Sequence, residues 1–357
     1  MRSNLQFVTH KVFSMKKIKF FILFITLSLF GCTSAFPKVA SYYISSFTFT
    51  DDEKLWNAET ALSSDGKSIV IAGLTNFDLI NLKTGNRENL DERFNVNNKI
   101  LHGPNDDVFA DSLVYWSSDG RYIGVLADHY EPTSISAVGE VTYIFDLQDN
   151  SFRRFNTQIR SFSPFSSDKI WTYDGVYNLK DASVIPLLAD YDFRQEKEFG
   201  AIGDFLWSKA SGIPVAMIQT QPTGASSESD IEIVLWSLDT KDPNNPKYSV
   251  STGFISKFPN QLAGIFFDPT GEYILVAEWQ CHESTTPCSI TPFHADNVYD
   301  TVLTLVRWRT QERQELIRLT EIDPEHVVAY GDMDWSADGS TIFISRKDAQ
   351  PIVIKLK

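Results

Sequence analysis

The sequence predicts an all-β fold assembled from repeated four-stranded sheets. Two short patterns that alternate along the chain support this prediction, and so does a strand pattern that stands alone ahead of the first repeat. The chain has 357 residues, of which 43% are hydrophobic, so it can bury at least one large core. This length would ordinarily indicate two or more domains, but repeat architectures are exceptions.

The first pattern consists of an apolar anchor, a Ser or Asp, a turn, and a short strand rich in β-branched residues. Gly accepts a positive φ angle without penalty, and Asp or Ser side chains can hydrogen-bond back to the turn backbone. Each copy therefore predicts a β-hairpin. Four clear copies begin at the anchors Leu62, Trp116, Phe267 and Trp335, and two weaker copies begin at Phe162 and Trp207.

The second pattern follows each copy of the first. Alternating apolar residues lead into a polar turn and then into another apolar stretch, which predicts a second hairpin. Two hairpins make four strands, and four-stranded units arranged around an axis are the blades of a β-propeller. The six copies span residues 79–85, 143–149, 175–181, 234–240, 305–310 and 352–357.

The last repeat is one strand short, because its second pattern ends at Lys357. Residues 41–50, ahead of the first repeat, are rich in residue types that suit sheets. As the outer strand of the last blade, this segment would fasten the ring and leave no half-built blade with unpaired edges. We therefore predict a six-bladed propeller closed by the N-terminal strand, and the count favours six blades over seven.

The N-terminal segment predicts export. A basic stretch, residues 15–19, precedes the apolar run 20–30, which is about half the ~20 residues that a spanning helix needs. This arrangement is typical of a secretory signal, and Met15 is a better start than Met1. We expect a signal peptide over 1–31, a lipidated linker over 32–40 and the propeller over 41–357.

Residues 29–32 end in Gly31-Cys32 and resemble the bacterial lipobox, in which a small residue precedes a cysteine that is acylated. The resemblance implies that Cys32 carries lipid and anchors a soluble body to the membrane. Because Thr33 rather than Asp follows, it also implies sorting to the outer membrane, facing the periplasm. The alternative is ordinary cleavage near Ala35, with loss of Cys32.

Two further cysteines, Cys281 and Cys288, are separated by six residues. In an oxidising periplasm they predict a disulfide that closes a small surface loop. The alternative is a metal site formed by the two cysteines with His282 and His294, but these residues do not have the spacing of a four-ligand zinc site. The surrounding segment, residues 279–300, is a candidate recognition loop or a protective decoration, and residues 219–230 predict a mobile polar loop.

The charge is strongly acidic, with a net value of −14. Five basic residues and no acid precede Cys32, so the exported body has 27 basic and 46 acidic residues, a net charge of −19. Such a surface repels phosphate backbones, which excludes nucleic acid as a partner. Cations and basic protein surfaces are the charge-compatible partners.

Motifs of known catalytic centres are missing from the sequence. It contains no Gly-x-Ser-x-Gly, no His-Glu-x-x-His, no phosphate-binding Gly-rich loop and no calcium loop of recognised spacing. The histidines are scattered, which favours surface or structural roles. We therefore predict no metal, no cofactor and no catalytic residue, although the sequence leaves enzymatic activity open.

One group of acids could form a site in the central channel. Glu59, Asp204 and Asp332 each lie three residues ahead of an anchor, on the predicted innermost strands. If that level faces the channel, they could converge on a cation such as calcium or on a basic side chain of a partner. The alternative is that they solvate the loops that enter each blade. Further acids, Asp106, Asp107, Asp111 and Asp334, lie close by in sequence.

The Ser-x-Asp-Gly hairpins, such as Ser63-Ser64-Asp65-Gly66, resemble the WD40-like repeats of the TolB-type six-bladed propeller. The resemblance extends from about residue 41 to the end of the chain. It implies the architecture but not an activity, since related propellers serve as protein-binding platforms, as enzyme accessory domains and, less often, as enzymes.

We expect a monomeric, non-enzymatic cell-envelope lipoprotein that binds an envelope protein or peptide, basic in character, across one face of the propeller. The lipid anchor would be its only membrane contact. The alternative function is binding of a small ligand, a cation or a glycan in the central channel, with the acids above as its site and an enzymatic activity as one variant.

Overall fold

A computed structural model gives the fold of the protein. The chain divides into a segment Met1–Pro37 and a compact unit Lys38–Lys357, and the unit contains all the strands named below. The structure describes residues 35–50, 59–73, 76–96, 107–108, 113–129, 139–172, 175–186, 202–207, 214–222, 229–239, 247–258, 261–281, 299–319, 333–346 and 349–357. Several of these are described by their backbone alone, namely 59, 108, 186, 202–205, 214–222, 229–239, 247–258, 261–264, 279–281 and 299–300.

The strands form six antiparallel sheets, which we number I to VI. The first strand, β1 (Val39–Ile44), belongs to sheet VI. Sheet I contains β2 (Glu59–Leu62), β3 (Ser68–Ala72), β4 (Phe77–Asn81) and β5 (Arg87–Asn89). Sheet II contains β6 (Asp107–Val108), β7 (Val114–Trp116), β8 (Tyr122–His129), β9 (Gly139–Asp146) and β10 (Ser151–Phe155).

The other sheets repeat this order. Sheet III contains β11 (Ile159–Ser163), β12 (Ser166–Thr172), β13 (Gly175–Asn178) and β14 (Val184–Pro186). Sheet IV contains β15 (Ile202–Trp207), β16 (Pro214–Pro222), β17 (Ser229–Asp239) and β18 (Lys247–Phe258). Sheet V contains β19 (Gln261–Phe267), β20 (Tyr273–Cys281), β21 (Tyr299–Arg307) and β22 (Glu312–Arg318). Sheet VI contains β23 (Met333–Trp335), β24 (Thr341–Ile344), β25 (Ile352–Leu356) and β1.

The first pattern forms the predicted hairpins through a repeated hydrogen-bond network. In sheet I, Ser63 Oγ accepts from the amide of Ser68 and donates to Oδ1 of Asp65, both at 2.9 Å. The amide of Gly66, at φ +64°, donates to the carbonyl of Ser63 at 2.9 Å. Equivalent bonds join Ser117, Asp119 and Gly120 in sheet II, and Ser336, Asp338 and Gly339 in sheet VI.

Sheet V exchanges the two side chains of this network. Asp268 stands where the other copies have Ser, and its Oδ1 accepts from the amide of Tyr273 at 2.7 Å. Thr270 stands where the others have Asp, and its hydroxyl donates to Asp268 Oδ2. The turn is therefore kept with the hydroxyl and the carboxylate in reversed positions.

Strand β1 pairs with β25, as predicted for the segment that completes the last sheet. Tyr42 lies opposite Ile354 and Ile44 lies opposite Ile352. The predicted bounds 41–50 were wrong, because the strand begins at Val39 and ends at Ile44. Beyond it, Phe47 and Phe49 turn inward and are buried with Ile80, Leu82, Phe343 and Val353, between sheets VI and I.

The hydrophobic core lies between neighbouring sheets. A second cluster fills the space between sheets I and II, where the ring centroids of Phe77 and Phe145 are 4.7 Å apart. The short helix α1 (Leu90–Phe94) adds Leu90 and Phe94 to this cluster. No pattern in the sequence analysis predicted α1. Asn89 caps it by accepting from the amide of Glu92 at 2.9 Å.

Two predicted loops are shorter than expected. Strand β16 continues to Pro222 and β17 begins at Ser229, so only 223–228 of the predicted loop 219–230 lie outside the strands. Likewise β20 continues to Cys281 and β21 begins at Tyr299. Polar residue types indicated loops here, but backbone pairing in an antiparallel ladder does not depend on side-chain polarity.

The six strands that contain the anchors form a closed circuit. Strand β2 contacts β7, β7 contacts β11, β15 contacts β19, β19 contacts β23, and β23 contacts β2. Strands β11 and β15 are joined by a hydrogen bond from Trp207 Nε1 to Ser161 Oγ at 3.0 Å. The protein is therefore an all-β propeller with four-stranded antiparallel blades. In the described part of the chain, no helix is long and apolar enough to cross a membrane.

Candidate binding site on the propeller axis

A cavity of about 420 Å³ lies where the anchor-containing strands of the six sheets meet. Every anchor of the first pattern lines it, and five of the six anchors are aromatic. We call these residues the anchor collar. Its members are Leu62, Trp116, Phe162, Trp207, Phe267 and Trp335.

The collar follows from the hairpin pattern. Each anchor ends, or nearly ends, the innermost strand of its sheet and directly precedes the motif turn, so equivalent positions meet around the axis. These residues are the anchors of the first pattern, but the pattern did not predict that they line a common cavity. Their shared position one residue ahead of the turn was the signal that could have revealed it.

Polar groups in the wall of this cavity bind neighbouring strands. Asp334 Oδ2 accepts from the amide of Leu62 at 2.9 Å and so joins β23 to β2. Ser161 Oγ accepts from the Trp207 indole at 3.0 Å and joins β11 to β15. These bonds join neighbouring anchor-bearing strands around the cavity.

Four of the motif turns, those of sheets I, II, III and VI, lie at one mouth of the cavity. A hollow of about 480 Å³ over these turns shares Ser118, Pro164 and Ala337 with the lining of the cavity. The turns of sheets I, II and VI bring three exposed carboxylates to this hollow, which we call the acidic rim. They are Asp65, Asp119 and Asp338.

The acidic rim is ionised at neutral pH. Partial burial raises the pKa of each carboxyl, but the hydrogen bonds of the turn outweigh this effect and leave each pKa below its ordinary value. For Asp119 the strongest of these bonds comes from Ser167 Oγ, at 2.6 Å. Asp65 also forms an exposed ion pair with Lys67 at 2.8 Å, which partly offsets its charge.

The predicted channel acids are only partly covered by the structure. Glu59 begins β2 and Asp204 lies within β15, three residues ahead of their anchors as the sequence indicated, but their side chains are outside the described residues. Asp332 lies outside the described residues altogether. Convergence of these three carboxylates stays a prediction.

The predictions on the cysteines also fall largely outside the described residues. Cys281 ends β20, and its side chain is not among those described. Cys32 and Cys288 lie outside the described residues. The lipidation and the disulfide therefore stay predictions.

Asp107, one of the further acids noted in the sequence, lies in a buried polar cluster. Its side chain is 1% exposed and lies 2.5 Å from His129 Nδ1 and 2.8 Å from Arg154 Nε, and the hydroxyl of Tyr143 donates to it. Burial raises the pKa of Asp107, but these three partners lower it below its usual value. Burial and the Asp107 charge raise the pKa of Tyr143.

This cluster joins β6 to β8, β9 and β10. Within the described part of the chain, the cavity lining includes none of its four side chains. Its partners are 22 to 47 residues from Asp107 along the chain, so no local pattern could have identified it. Among the described side chains, no group of three or more His, Cys, Asp or Glu could hold a metal ion.

The fold and the cavity define a propeller scaffold with an axial site. No protein-family model matches the chain, and no curated protein matches it. Solved structures that resemble it include an oligogalacturonate lyase from Vibrio parahaemolyticus, with 9% identity and a TM-score of 0.44 over 83% of this chain and 76% of that chain. A putative TolB from Agrobacterium tumefaciens has 12% identity and a TM-score of 0.42 over 84% and 89%. A chain of a mitotic checkpoint complex has 11% identity and a TM-score of 0.42 over 99% and 97%. Scores and identities this low leave ligand and activity open.

Proposed function

We propose that this chain is a cell-envelope lipoprotein whose six-bladed propeller binds a basic segment of a protein or peptide at the acidic rim and catalyses no reaction. The six-blade count is supported by the six sheets, each of which supplies one anchor to the collar. The lipid on Cys32, the outer-membrane location and the periplasmic orientation rest on the N-terminal sequence. The protein acts as a monomer.

The observation that carries this proposal is the combination of an aromatic collar with an ionised rim. A Lys or Arg side chain has an apolar stem and a cationic end. The stem can therefore pack against aromatic rings while the cationic end stays near the carboxylates of the rim. Aromatic faces attract such cations by about 0.5–2 kcal/mol. Phe165, 38% exposed at the rim, adds apolar surface for the rest of the segment.

A second acidic set belongs to this proposal. Glu59, Asp204 and Asp332 occur where the innermost strands begin, whereas the rim follows the ends of those strands. We propose that they face the axis there and bind a cation such as calcium or a second basic side chain. A disulfide between Cys281 and Cys288 stiffens the neighbouring loop, which lowers the entropy lost on recognition.

Calorimetric titration with short peptides tests the rim. The peptides carry a central Lys or Arg between small residues, and matched peptides carry Gln instead. The variant Asp65→Asn/Asp119→Asn/Asp338→Asn removes the charges, while the amide oxygens can still accept the turn hydrogen bonds. We expect the basic peptides to bind the parent protein and to lose at least about tenfold in affinity, or 1.4 kcal/mol, with this variant.

A control variant removes three exposed acids that lie away from the rim, Asp149→Asn/Asp181→Asn/Glu315→Gln. It should keep the affinity of the parent protein at the same salt concentration. Equal binding of Lys and Gln peptides, or equal losses in both triple variants, would contradict the proposal. Either result would mean that binding follows the overall charge or does not occur at the rim.

One observation favours a second candidate function. The cavity volume of about 420 Å³ falls within the roughly 300–1,000 Å³ of small-ligand pockets. A small ligand or glycan held by the aromatic collar would bind equally to the parent protein and to the rim variant. If a small ligand, titrated in the same way, bound equally to both proteins while the basic peptides did not bind, the small ligand would replace the peptide in the proposed function.

A further inference from the structure

An apolar surface runs out into solvent at the outer edge of sheet VI. Tyr42 and Ile44 on β1 are 47% and 40% exposed, although their partners Ile354 and Ile352 on β25 are fully buried. Residues two apart on a strand lie on one face, so the two exposed side chains continue that buried face outward.

The same edge contains no acidic residue, although the protein as a whole is very acidic. Residues 35–50 and 349–357 contain Lys38, Lys355 and Lys357 and no Asp or Glu, in a chain with a net charge of −14. The backbones of Lys38 and Lys357 are joined by reciprocal hydrogen bonds of 3.2 and 2.9 Å, and both residues are exposed. The ammonium group of Lys355 points away from this edge and donates hydrogen bonds to Gly66 O and Thr341 Oγ1.

The N-terminal chain keeps this edge close to a membrane if Cys32 is lipidated. Cys32 is seven residues from the start of β1. A fully extended chain of that length spans at most about 24 Å. Tyr side chains are enriched where membrane meets water, and exposed Lys residues are attracted to anionic lipid.

We propose that Lys38, Tyr42, Ile44 and Lys357 form a docking edge that rests on an anionic phospholipid bilayer. This inference depends on the lipid anchor of the proposed function. The propeller then stands on its edge, with its axis along the membrane surface. The mouth of the axial cavity at the acidic rim then faces sideways into the periplasm, so a partner reaches the rim without passing between protein and lipid.

Fluorescence quenching in reconstituted vesicles tests this orientation. The full lipidated chain is placed in vesicles of phosphatidylethanolamine and phosphatidylglycerol that contain brominated lipid. A fluorophore is attached to Tyr42→Cys or, as the matched control, to Val184→Cys, a position 40% exposed on another outer strand, β14 of sheet III. Labelled parent protein gives the background from the native cysteines. We expect quenching at position 42 and none above background at 184.

The electrostatic contribution is tested by reversing charge. Lys38→Glu/Lys357→Glu should reduce the quenching at position 42 to the level of position 184. Replacing phosphatidylglycerol by phosphatidylcholine should do the same. The control Lys180→Glu/Arg313→Glu reverses two exposed charges on other sheets and should leave the quenching unchanged.

Metabolic labelling with palmitate separates the possible failures. Without a label on Cys32, the lipoprotein part of the proposed function fails, and this inference fails with it. If the label is present but positions 42 and 184 are quenched equally, only the docking edge is overturned, which is the outcome expected if a second copy or a protein covers it. Equal quenching at position 42 in neutral and anionic vesicles also overturns it.

Discussion

The motif turns of sheets I, II and VI differ from the corresponding turn of sheet III. The first three contain an Asp and a Gly with positive φ, and their Ser, Asp and Gly form the same network. In sheet III, Ser163 pairs directly with Ser166, so only Pro164 and Phe165 separate the strands. Ser163 Oγ accepts there from the amide of Phe165 at 3.3 Å, without an acid.

The difference shows that a hairpin at this level does not require the carboxylate. Sheet III forms β11 and β12 without it and presents Phe165 to the mouth of the cavity. The three aspartates of the other turns therefore contribute charge to the rim in addition to holding the turn. Substitutions can separate these two contributions.

The largest expected effect is at Gly66. Gly66→Ala combines a positive φ, which costs about 1–2 kcal/mol for a residue with a side chain, with a Cβ placed 2.5 Å from the buried Cβ of Thr341. Gly339→Ala has the same φ problem but meets nothing within 4 Å. We expect Gly66→Ala to lower the free energy of unfolding, measured by urea denaturation, by more than about 2 kcal/mol. Gly339→Ala should lower it by about 1–2 kcal/mol.

Sheet III provides the control for this pair. Its turn contains no Gly, and Pro164→Ala should change the free energy of unfolding by less than about 1 kcal/mol. If Gly339→Ala were as harmful as Gly66→Ala, the close approach of sheets I and VI at Thr341 would have no energetic role.

The next effect concerns the buried serines of the two kinds of turn. Ser117 Oγ accepts from the buried amide of Tyr122 at 2.8 Å, and Ser117→Ala leaves that donor without its partner. A buried unsatisfied donor costs about 1–3 kcal/mol. Ser163→Ala removes only the longer bond to Phe165, so we expect a smaller loss in the same urea measurement. Equal losses would mean that the network adds nothing to the full motif turn.

The repeat could be predicted from sequence because each hairpin is encoded within about ten residues. Anchor, Ser or Asp, Gly and strand recur in order, and the pairing of β1 with β25 followed from counting strands. The extent of β1 could not be predicted, because Phe47 and Phe49 suit a strand as well as they suit the core in which they are buried.

The site was less predictable than the fold. The pattern of the innermost strands indicated Glu59, Asp204 and Asp332, whereas the carboxylates that the structure gathers at the mouth belong to the turns. Asp65, Asp119 and Asp338 were visible in the motif, but their role in the turn accounted for them. Only the arrangement of three sheets around one hollow shows that they also share a surface.

The smallest expected effect is a difference in the pH dependence of stability between the carboxyl groups of two motif turns. These groups belong to Asp119 in sheet II and Asp268 in sheet V. Burial raises the pKa of Asp119, but hydrogen bonds, first that from Ser167, bring it below its ordinary value. Its stabilising contribution is therefore present above the unfolded pKa of about 3.9 and is lost as the pH falls through the lower folded value. Asp268 is 5% exposed, and burial raises its pKa despite its hydrogen bonds. Its contribution is present at low pH and is lost as the pH rises through the raised value.

The two Asn variants should consequently show opposite pH dependence in their free energies of unfolding. Asp119→Asn should cost more stability at neutral pH than at about pH 3, because only the ionised carboxylate is favoured in the fold. Asp268→Asn should cost less at neutral pH than at about pH 3, because Asn avoids the burial of a charge. Parallel slopes for the two variants would show that exchanging hydroxyl and carboxylate in sheet V leaves the electrostatics of the turn unchanged. Opposite slopes would show that the fold favours the ionised form of the exposed Asp119 carboxylate and the protonated form of the buried Asp268 carboxyl.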